Sequence, residues 1–278
     1  MSDTATVGDT ETHQHIDGSL LSLHGISKSF GAVQALRDVN LDILNGQVTA
    51  LVGDNGAGKS TLIKATAGIW QPNEGEILWN GTPVHIRTPR EADELGIATM
   101  YQDLALCDNL DIVQNMFLGH ELLKHRLLDE NQMEITARQT LADLSVTTVQ
   151  SIRQPVGSLS GGQRQAVAVA RAVMREAKLV VMDEPTAALG VSQTAQVLDL
   201  IKRLASRGIA VLVISHNLTD VFAVADRLAV LNLGHLVSTG PISDYDTQSA
   251  VELITTGRLT RTGSSAPAAG NDTADGGG

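Results

Sequence analysis

The sequence predicts an α/β protein with a mainly parallel sheet, an antiparallel β-subdomain beside it and an inserted α-helical subdomain. Three observations carry this reading. Between residues 179 and 231 strand-like apolar runs alternate with helical spacing, which implies parallel strands joined by crossover helices. Residues 20–30 and 39–43 alternate apolar and polar side chains with period two, as antiparallel strands do, and 76–86 carries a hairpin signal around Asn80-Gly81. From about residue 104 to 174 helical spacing dominates.

Residues 1–18 lack apolar periodicity and carry neither the basic nor the apolar region of a secretory signal, so a disordered leader is expected. His13 and His15 within it have no further ligand at metal-binding spacing and are expected to be solvated. The strands over 20–30 and 39–43 are separated by a turn at Gly31. A strand over 47–52 leads into a helix over 61–67 that stops at Gly68, a helix-ending residue. Asn80-Gly81 marks a hairpin, because both residues tolerate the positive φ angles of a type I′ turn. Thr88, Pro89 and Glu91 read as the N-cap, first-turn proline and capping-box acid of a short helix closing at Gly96.

A strand over 97–101 then ends at Gln102. Helices are expected near 111–118, 129–144 and 161–174, followed by a strand at 179–182, a helix at 191–206 and a strand at 209–214. A helix at 218–223, a strand at 228–231 and a helix at 247–254 complete the pattern. The tail, rich in Gly, Ala, Ser, Thr and Asp, is expected to be disordered. The organisation read from this is a leader over 1–18, one domain over 19–258 with its helical insertion at about 104–174, and a tail over 259–278.

The chain of 278 residues is long enough for a sizeable core, and 42% of it is hydrophobic. No apolar run reaches the roughly 20 residues needed to cross a bilayer. The single cysteine, Cys107, excludes an internal disulfide, suits a reducing compartment and reads as a small packed residue. A net charge of −11, with no dense Lys/Arg run, argues against nucleic acid as the main partner.

The stretch Gly53-Asp54-Asn55-Gly56-Ala57-Gly58-Lys59-Ser60 sits between the strand and the helix that a phosphate-binding loop requires. Its glycines let successive backbone N–H groups turn inward, and the following helix, with Thr61 in its first turn, adds a partial positive charge. Lys59 is placed to reach the β- and γ-phosphates, and the Ser60 hydroxyl to ligate Mg²⁺. The buried strand ending in Asp183 and Glu184 supplies a complementary pair of acids. Asp183 is a candidate to hold Mg²⁺ directly or through water, and Glu184 a candidate general base for water. A second anion-seeking element begins at Ser160, which caps a helix opening with Gly161, Gly162 and Gln163.

In order, these motifs resemble the ATP-binding cassette family over about residues 20–255: phosphate loop, Gln102 after a strand, Leu159-Ser-Gly-Gly-Gln163, the strand into Asp183-Glu184, and His216 after another strand. The resemblance implies a RecA-like phosphate-loop core, ATP and Mg²⁺ as ligands, and ATP hydrolysis. It implies that two cassettes close head to tail, so that Ser160 and Gly162 of one contact the γ-phosphate held by the other. Gln102 would help ligate Mg²⁺ and water while sensing a membrane partner, and His216 would hold the γ-phosphate and the water; read alone, Gln102 is sooner a polar strand end and His216 a helix-capping histidine, and the order of the motifs reverses both. Phe30 matches the aromatic that stacks adenine in the family but lacks the usual tyrosine hydroxyl, and the alternative is a core residue. Gly190 stands where many cassettes carry Asp, which leaves that position without a side-chain contribution.

Residues 97–106, 115–119, 184–190 and 214–218 are similar to the bacterial monosaccharide importer branch, the ribose, xylose and fructose type. The resemblance implies a peripheral ATPase at the cytoplasmic face of the cell membrane, working with permease subunits and, indirectly, a sugar-binding protein. Each motif occurs once, so a homodimer with two equivalent sites is the expected unit. The alternatives are a cassette ATPase of DNA repair or the ribosome, or the ATPase of an exporter.

Overall fold

The computed structural model describes residues 16, 18–101, 103–146 and 149–259. The expected leader and tail, save residues 16, 18 and 259, lie outside the described residues, as do His13, His15 and Gln102. Strands β1 (Ser19–Phe30) and β2 (Val33–Leu44) form a long antiparallel hairpin through Gly31, whose φ is 60°. β2 starts well before the apolar alternation at residue 39, because its first residues pair with β1 while their side chains stay largely exposed. β4 (Glu74–Trp79) and β5 (Thr82–Val84), further along the chain, complete the antiparallel sheet in the order β2-β1-β4-β5. Asn80 (φ 48°) and Gly81 (φ 73°) supply the left-handed turn their sequence called for.

β3 (Val48–Gly53) is buried at every position and runs into the phosphate loop and α1 (Lys59–Thr66). It lies at the centre of a second sheet with β6 (Ile97–Met100), β9 (Leu179–Asp183), β10 (Ala210–Ile214), β11 (Arg227–Asn232) and β12 (His235–Pro241), in the order β12-β11-β3-β10-β9-β6. All neighbours are parallel except β11 and β12. β12 has no counterpart in the sequence reading; it returns through Leu233 (φ 47°) and Gly234 (φ 85°), and a leucine there gives no turn signal.

Before β6, helix α2 (Pro89–Leu95) has the expected N-cap, with Thr88 Oγ1 accepting from the Glu91 N–H at 3.2 Å. The reciprocal half is displaced by one residue: Glu91 accepts from the N–H of Arg87 at 2.7 Å instead of that of Thr88. After β6 come α3 (Ile112–Phe117), a small hairpin of β7 (Leu123–Lys124) and β8 (Leu127–Leu128), α4 (Glu130–Asp143) and α5 (Gly161–Met174). Buried Asn115 ties α3 to the loop before it, accepting from the Cys107 N–H at 2.7 Å and donating to the carbonyls of Cys107 and Leu110 at 3.0 and 3.2 Å. The chain closes with α6 (Val191–Ser206), α7 (Leu218–Val224) and α8 (Thr247–Thr256) around β10 to β12.

Period-two alternation divides β9 and β10 between two cores, while Ala50 and Val52 of β3 and Leu228 and Val230 of β11 join a third with Val221, Ala250 and Leu253. Val180, Met182, Val211 and Val213 join the cluster of Ile112, Met116, Phe117 and Val167 from the helical subdomain. Leu179, Val181, Leu212 and Ile214 face the other way, onto Leu62, Ile63 and the β-subdomain residues Leu21, Ile26 and Leu41. The C-terminal ends of β3 and β9 are thereby held side by side with β10 between them.

Candidate functional site

The phosphate loop is shaped by three glycines in backbone that side chains rarely adopt, two of them where a β-carbon would also clash. Gly53, Gly56 and Gly58 have φ of 158°, 83° and 109°. A β-carbon at Gly53 would lie 2.2 Å from the Leu231 carbonyl, and one at Gly58 2.6 Å from that of Ala35 and 2.9 Å from Leu36 Cδ2. Backbone atoms of β11 and β2 thus occupy the space that side chains would need. Within the loop Ala57 N–H donates to Asp54 O at 3.1 Å, and Asn55 N–H to Asp54 Oδ1 at 2.8 Å. Lys59 Nζ donates to the carbonyls of Gly53 and Asp54 at 2.8 and 3.0 Å, so its ammonium is held against the loop that a phosphate would enter.

A cleft of about 710 Å³ opens over this loop. Of the sequence-predicted residues it is lined by Asn55, Gly56, Gly58, Lys59, Ser60, Thr61, Asp183 and Glu184. The register explains the meeting: Asp183 at the end of β9 stands beside Ile214 of β10, which pairs with Leu51 of β3. Burial first, and the Glu184 charge second, push the Asp183 carboxyl above its usual range, while Lys59 and Lys64 draw it down. Tyr101, at the end of β6 and next in sequence to Gln102, has its phenol raised by burial and then by the Asp183 charge. Its hydroxyl is buried and has no hydrogen-bond partner among the described residues.

Glu184 sits in left-handed backbone (φ 52°), and its N–H donates to Ile214 O at 2.9 Å. This kink turns its carboxylate to His216, whose Nδ1 lies 2.8 Å from it. The cap of α7 belongs to Asn217, whose Oδ1 accepts from the N–H groups of Thr219 and Asp220, so the helix-capping reading of His216 is replaced by an acid–imidazole pair. A carboxylate fixed by an imidazole beside a phosphate loop is equipped to orient a water and take its proton.

Ser160, Gly161, Gly162 and Gln163 line no part of this cleft. They form a reciprocal capping box at the start of α5: Ser160 Oγ accepts from the Gln163 N–H at 3.4 Å, and Gln163 Oε1 from the Ser160 N–H at 2.9 Å. The Ser-x-x-Gln spacing carries that signal in the sequence, which reads only the Ser160 half of it. A β-carbon on Gly161 would lie 2.5 Å from Leu189 Cδ2, and one on Gly162 3.3 Å from Gln193 Cβ, so the segment around Gly190 packs against this helix start. Gly190 is itself the N-cap of α6 and offers no side-chain bond.

Phe30 is not a core residue, being 41% exposed. Its ring meets Trp70 edge to face with centroids 5.3 Å apart, and Lys28 Nζ lies 5.3 Å above it. It is absent from the cleft lining, but its cross-strand partner Val33 is present. Val33, Gln34 and Arg37 from β2 and Leu233, Gly234 and His235 from the β11–β12 turn are lining residues that the sequence reading missed.

The ABC transporter family matches residues 36–187. A fructose import ATP-binding protein of Rhizobium meliloti is 46% identical over 243 residues, covering 85% of this chain and 94% of that protein. A xylose/arabinose import ATP-binding protein of Sulfolobus acidocaldarius is 43% identical over 236 residues, with coverages of 85% and 94%. A ribose import ATP-binding protein of Rubrobacter xylanophilus is 42% identical, and the match spans 84% of this chain but 45% of that one. Among solved structures, the ADP conformation of an ATP-binding cassette of an ABC transporter aligns with a TM-score of 0.72 at 27% identity, covering 86% of this chain and 95% of that one. A nucleotide-free cassette from an ABC transporter gives 0.71 at 28% identity, covering 84% and 98%.

Proposed function

The chain belongs to the ABC transporter family, and on that premise we propose that it is the ATP-hydrolysing subunit of an importer whose cargo is a monosaccharide. It is an ATP-binding ATPase with a phosphate-loop fold. Relatives matched over 94% of their length are named for fructose and xylose/arabinose import, which supports the cargo class. One observation carries the mechanism: the phosphate loop and the two acids share a cleft, while the helix start at Ser160 lines none of it. Two anion-seeking elements on one chain are used together when a second copy of the 19–258 cassette turns its own onto the first cleft.

In this reading residues 53–61 hold the triphosphate, and Lys59 exchanges its two carbonyl contacts for phosphate oxygens. Ser160, Gly161, Gly162 and Gln163 of the second copy close over the γ-phosphate. Phe30 stacks the adenine. Glu184, oriented by His216, takes a proton from the attacking water as its oxygen bonds to the γ-phosphorus and ADP leaves. A magnesium ion fits this donor set: Ser60 and Asp183 line one cleft, and a divalent cation there would offset the burial and the Glu184 charge that disfavour the Asp183 carboxylate. Ser60, Asp183 and Gln102 would hold it, and it would neutralise charge on the phosphate oxygens.

Closure of the dimer on ATP and reopening after hydrolysis would drive the permease subunits, cargo being delivered by a sugar-binding protein. A groove of about 450 Å³ where β6 and α2 meet α5, lined among others by Arg90, Asp93, Tyr101, His120 and Arg171, is the proposed docking place for the permease. No helix among the described residues is long and apolar enough to cross a membrane, and attachment at the cytoplasmic face is assigned to that docking. Reconstitution with the permease that copurifies from membranes tests this: ATP-dependent uptake of a labelled monosaccharide is expected, and ATP-dependent efflux, or no membrane partner, would contradict it.

A further inference from the structure

Leu233 is a leucine in left-handed backbone (φ 47°) and 77% exposed. The two-residue turn between β11 and β12 needs the left-handed backbone but not a leucine. Turns of this kind favour Asn, Asp or Gly at that place, since a branched side chain is crowded there. An exposed leucine contributes nothing to the core. A leucine that neither the turn nor the core calls for points to a site, and Leu233 lines the cleft above the phosphate loop.

The turn is fixed to the loop it overlooks. Gly234 N–H donates to Ala57 O, and Arg37 N–H donates to Gly234 O, both at 2.9 Å. A β-carbon on Gly234 would lie 3.0 Å from Ala35 O, so the backbones of the loop, β2 and the turn are packed as one unit. Besides the phosphate loop, the first turn of α1 and the acids, the cleft is lined by this turn and the start of β2, where Val33, 67% exposed, stands with polar Gln34, Arg37 and His235. Val33 is the cross-strand partner of Phe30. Two exposed aliphatic side chains on two rigidly linked turns line a cleft whose floor is built for phosphate. The part of a nucleotide that such side chains recognise is the flat apolar base.

We propose that Leu233 is a nucleotide-contacting residue that, with Val33, forms an aliphatic wall for the nucleoside end of ATP, extending the aromatic surface of Phe30. The proposal rests on the reading of this cleft as the ATP site. Backbone strain at Leu233 is then the consequence of aiming an apolar side chain from a turn that would otherwise take a polar one.

Leu233→Asn relaxes the turn and removes the apolar contact, while Leu233→Ala shortens it. Calorimetric titration of the full chain with Mg-ATP and with inorganic tripolyphosphate separates the two ends of the ligand. ATP binding about five- to tenfold weaker in both variants is expected, with tripolyphosphate affinity unchanged. Leu233→Asn is expected to melt at or above the wild-type temperature. ATP affinity within about twofold of wild type in both variants would overturn the proposal. So would equal losses for ATP and tripolyphosphate, which would mean that the turn acts through the phosphate loop. A wild-type chain that binds tripolyphosphate but not ATP would instead defeat the ATP-site reading itself.

Discussion

Replacing Glu184 with Gln isolates the chemical step from everything that builds the site. The residue sits one position beyond β9 in left-handed backbone, its N–H bound to Ile214 O and its carboxylate 2.8 Å from His216 Nδ1. Gln keeps the length, the backbone demand and an oxygen that accepts from Nδ1–H; it removes only the negative charge and the ability to take a proton. His216 is 74% exposed, so weakening this contact changes stability by about 0–1 kcal/mol. Loss of a general base lowers turnover by about 10²–10⁴-fold, or about 3–5 kcal/mol in the barrier. Steady-state phosphate release with ATP affinity measured separately is the assay. Because His216 acts through Glu184, His216→Ala should slow the wild type and add little to Glu184→Gln, the non-additivity of residues that work as a unit. Turnover of Glu184→Gln within about tenfold of wild type, or fully additive losses in the double variant, would refute this account.

Two further perturbations probe charge and capping. The Asp183 carboxyl is raised above 3.8 in the folded chain by burial and the Glu184 charge, so between that value and its folded pKa the native state holds more protons than the unfolded one. Stability from this group therefore falls as pH rises through that window, and Asp183→Asn should raise the thermal midpoint of the nucleotide-free chain at about pH 7, with the gain fading as pH falls towards the unfolded value. A midpoint difference that does not depend on pH would contradict the assigned cause. Gly190→Asp should stabilise α6 by a few tenths of a kcal/mol, about a degree in melting temperature, because Gly190 is its N-cap in extended backbone with nothing within 4 Å of an added β-carbon. A lower melting temperature would show that the position demands glycine.

Much of the fold was legible because its signals are local. The Asn80-Gly81 turn, the Thr88 cap and the buried runs at β3, β9 and β10 each announce themselves within a few residues. What escaped detection breaks a local rule or needs the strand order. β12 was missed because Leu233 occupies a turn position that leucine disfavours, and the β7–β8 hairpin because His125 and Arg126 take φ of 53° and 70° without a glycine. The first residues of β2 pair without burying their side chains, so no apolar alternation marks them. Of the site, the phosphate loop and the two acids could be read directly, whereas the contact between Glu184 and His216 exists only because β9 and β10 are parallel neighbours in register. The lining by Val33, Arg37 and His235 depends on two turns meeting over the loop, which no single stretch of sequence contains.

The central claim is that one chain carries two halves of different ATP sites. Its most direct test is the mass of the Glu184→Gln chain in solution, by sedimentation or light scattering, with and without Mg-ATP. The account predicts a monomer that becomes a dimer when ATP is added, and a Ser160→Arg, Glu184→Gln double variant that binds ATP with unchanged affinity yet stays monomeric. A Glu184→Gln chain that binds ATP and remains a monomer, or a double variant that dimerises as well as the single one, would contradict it.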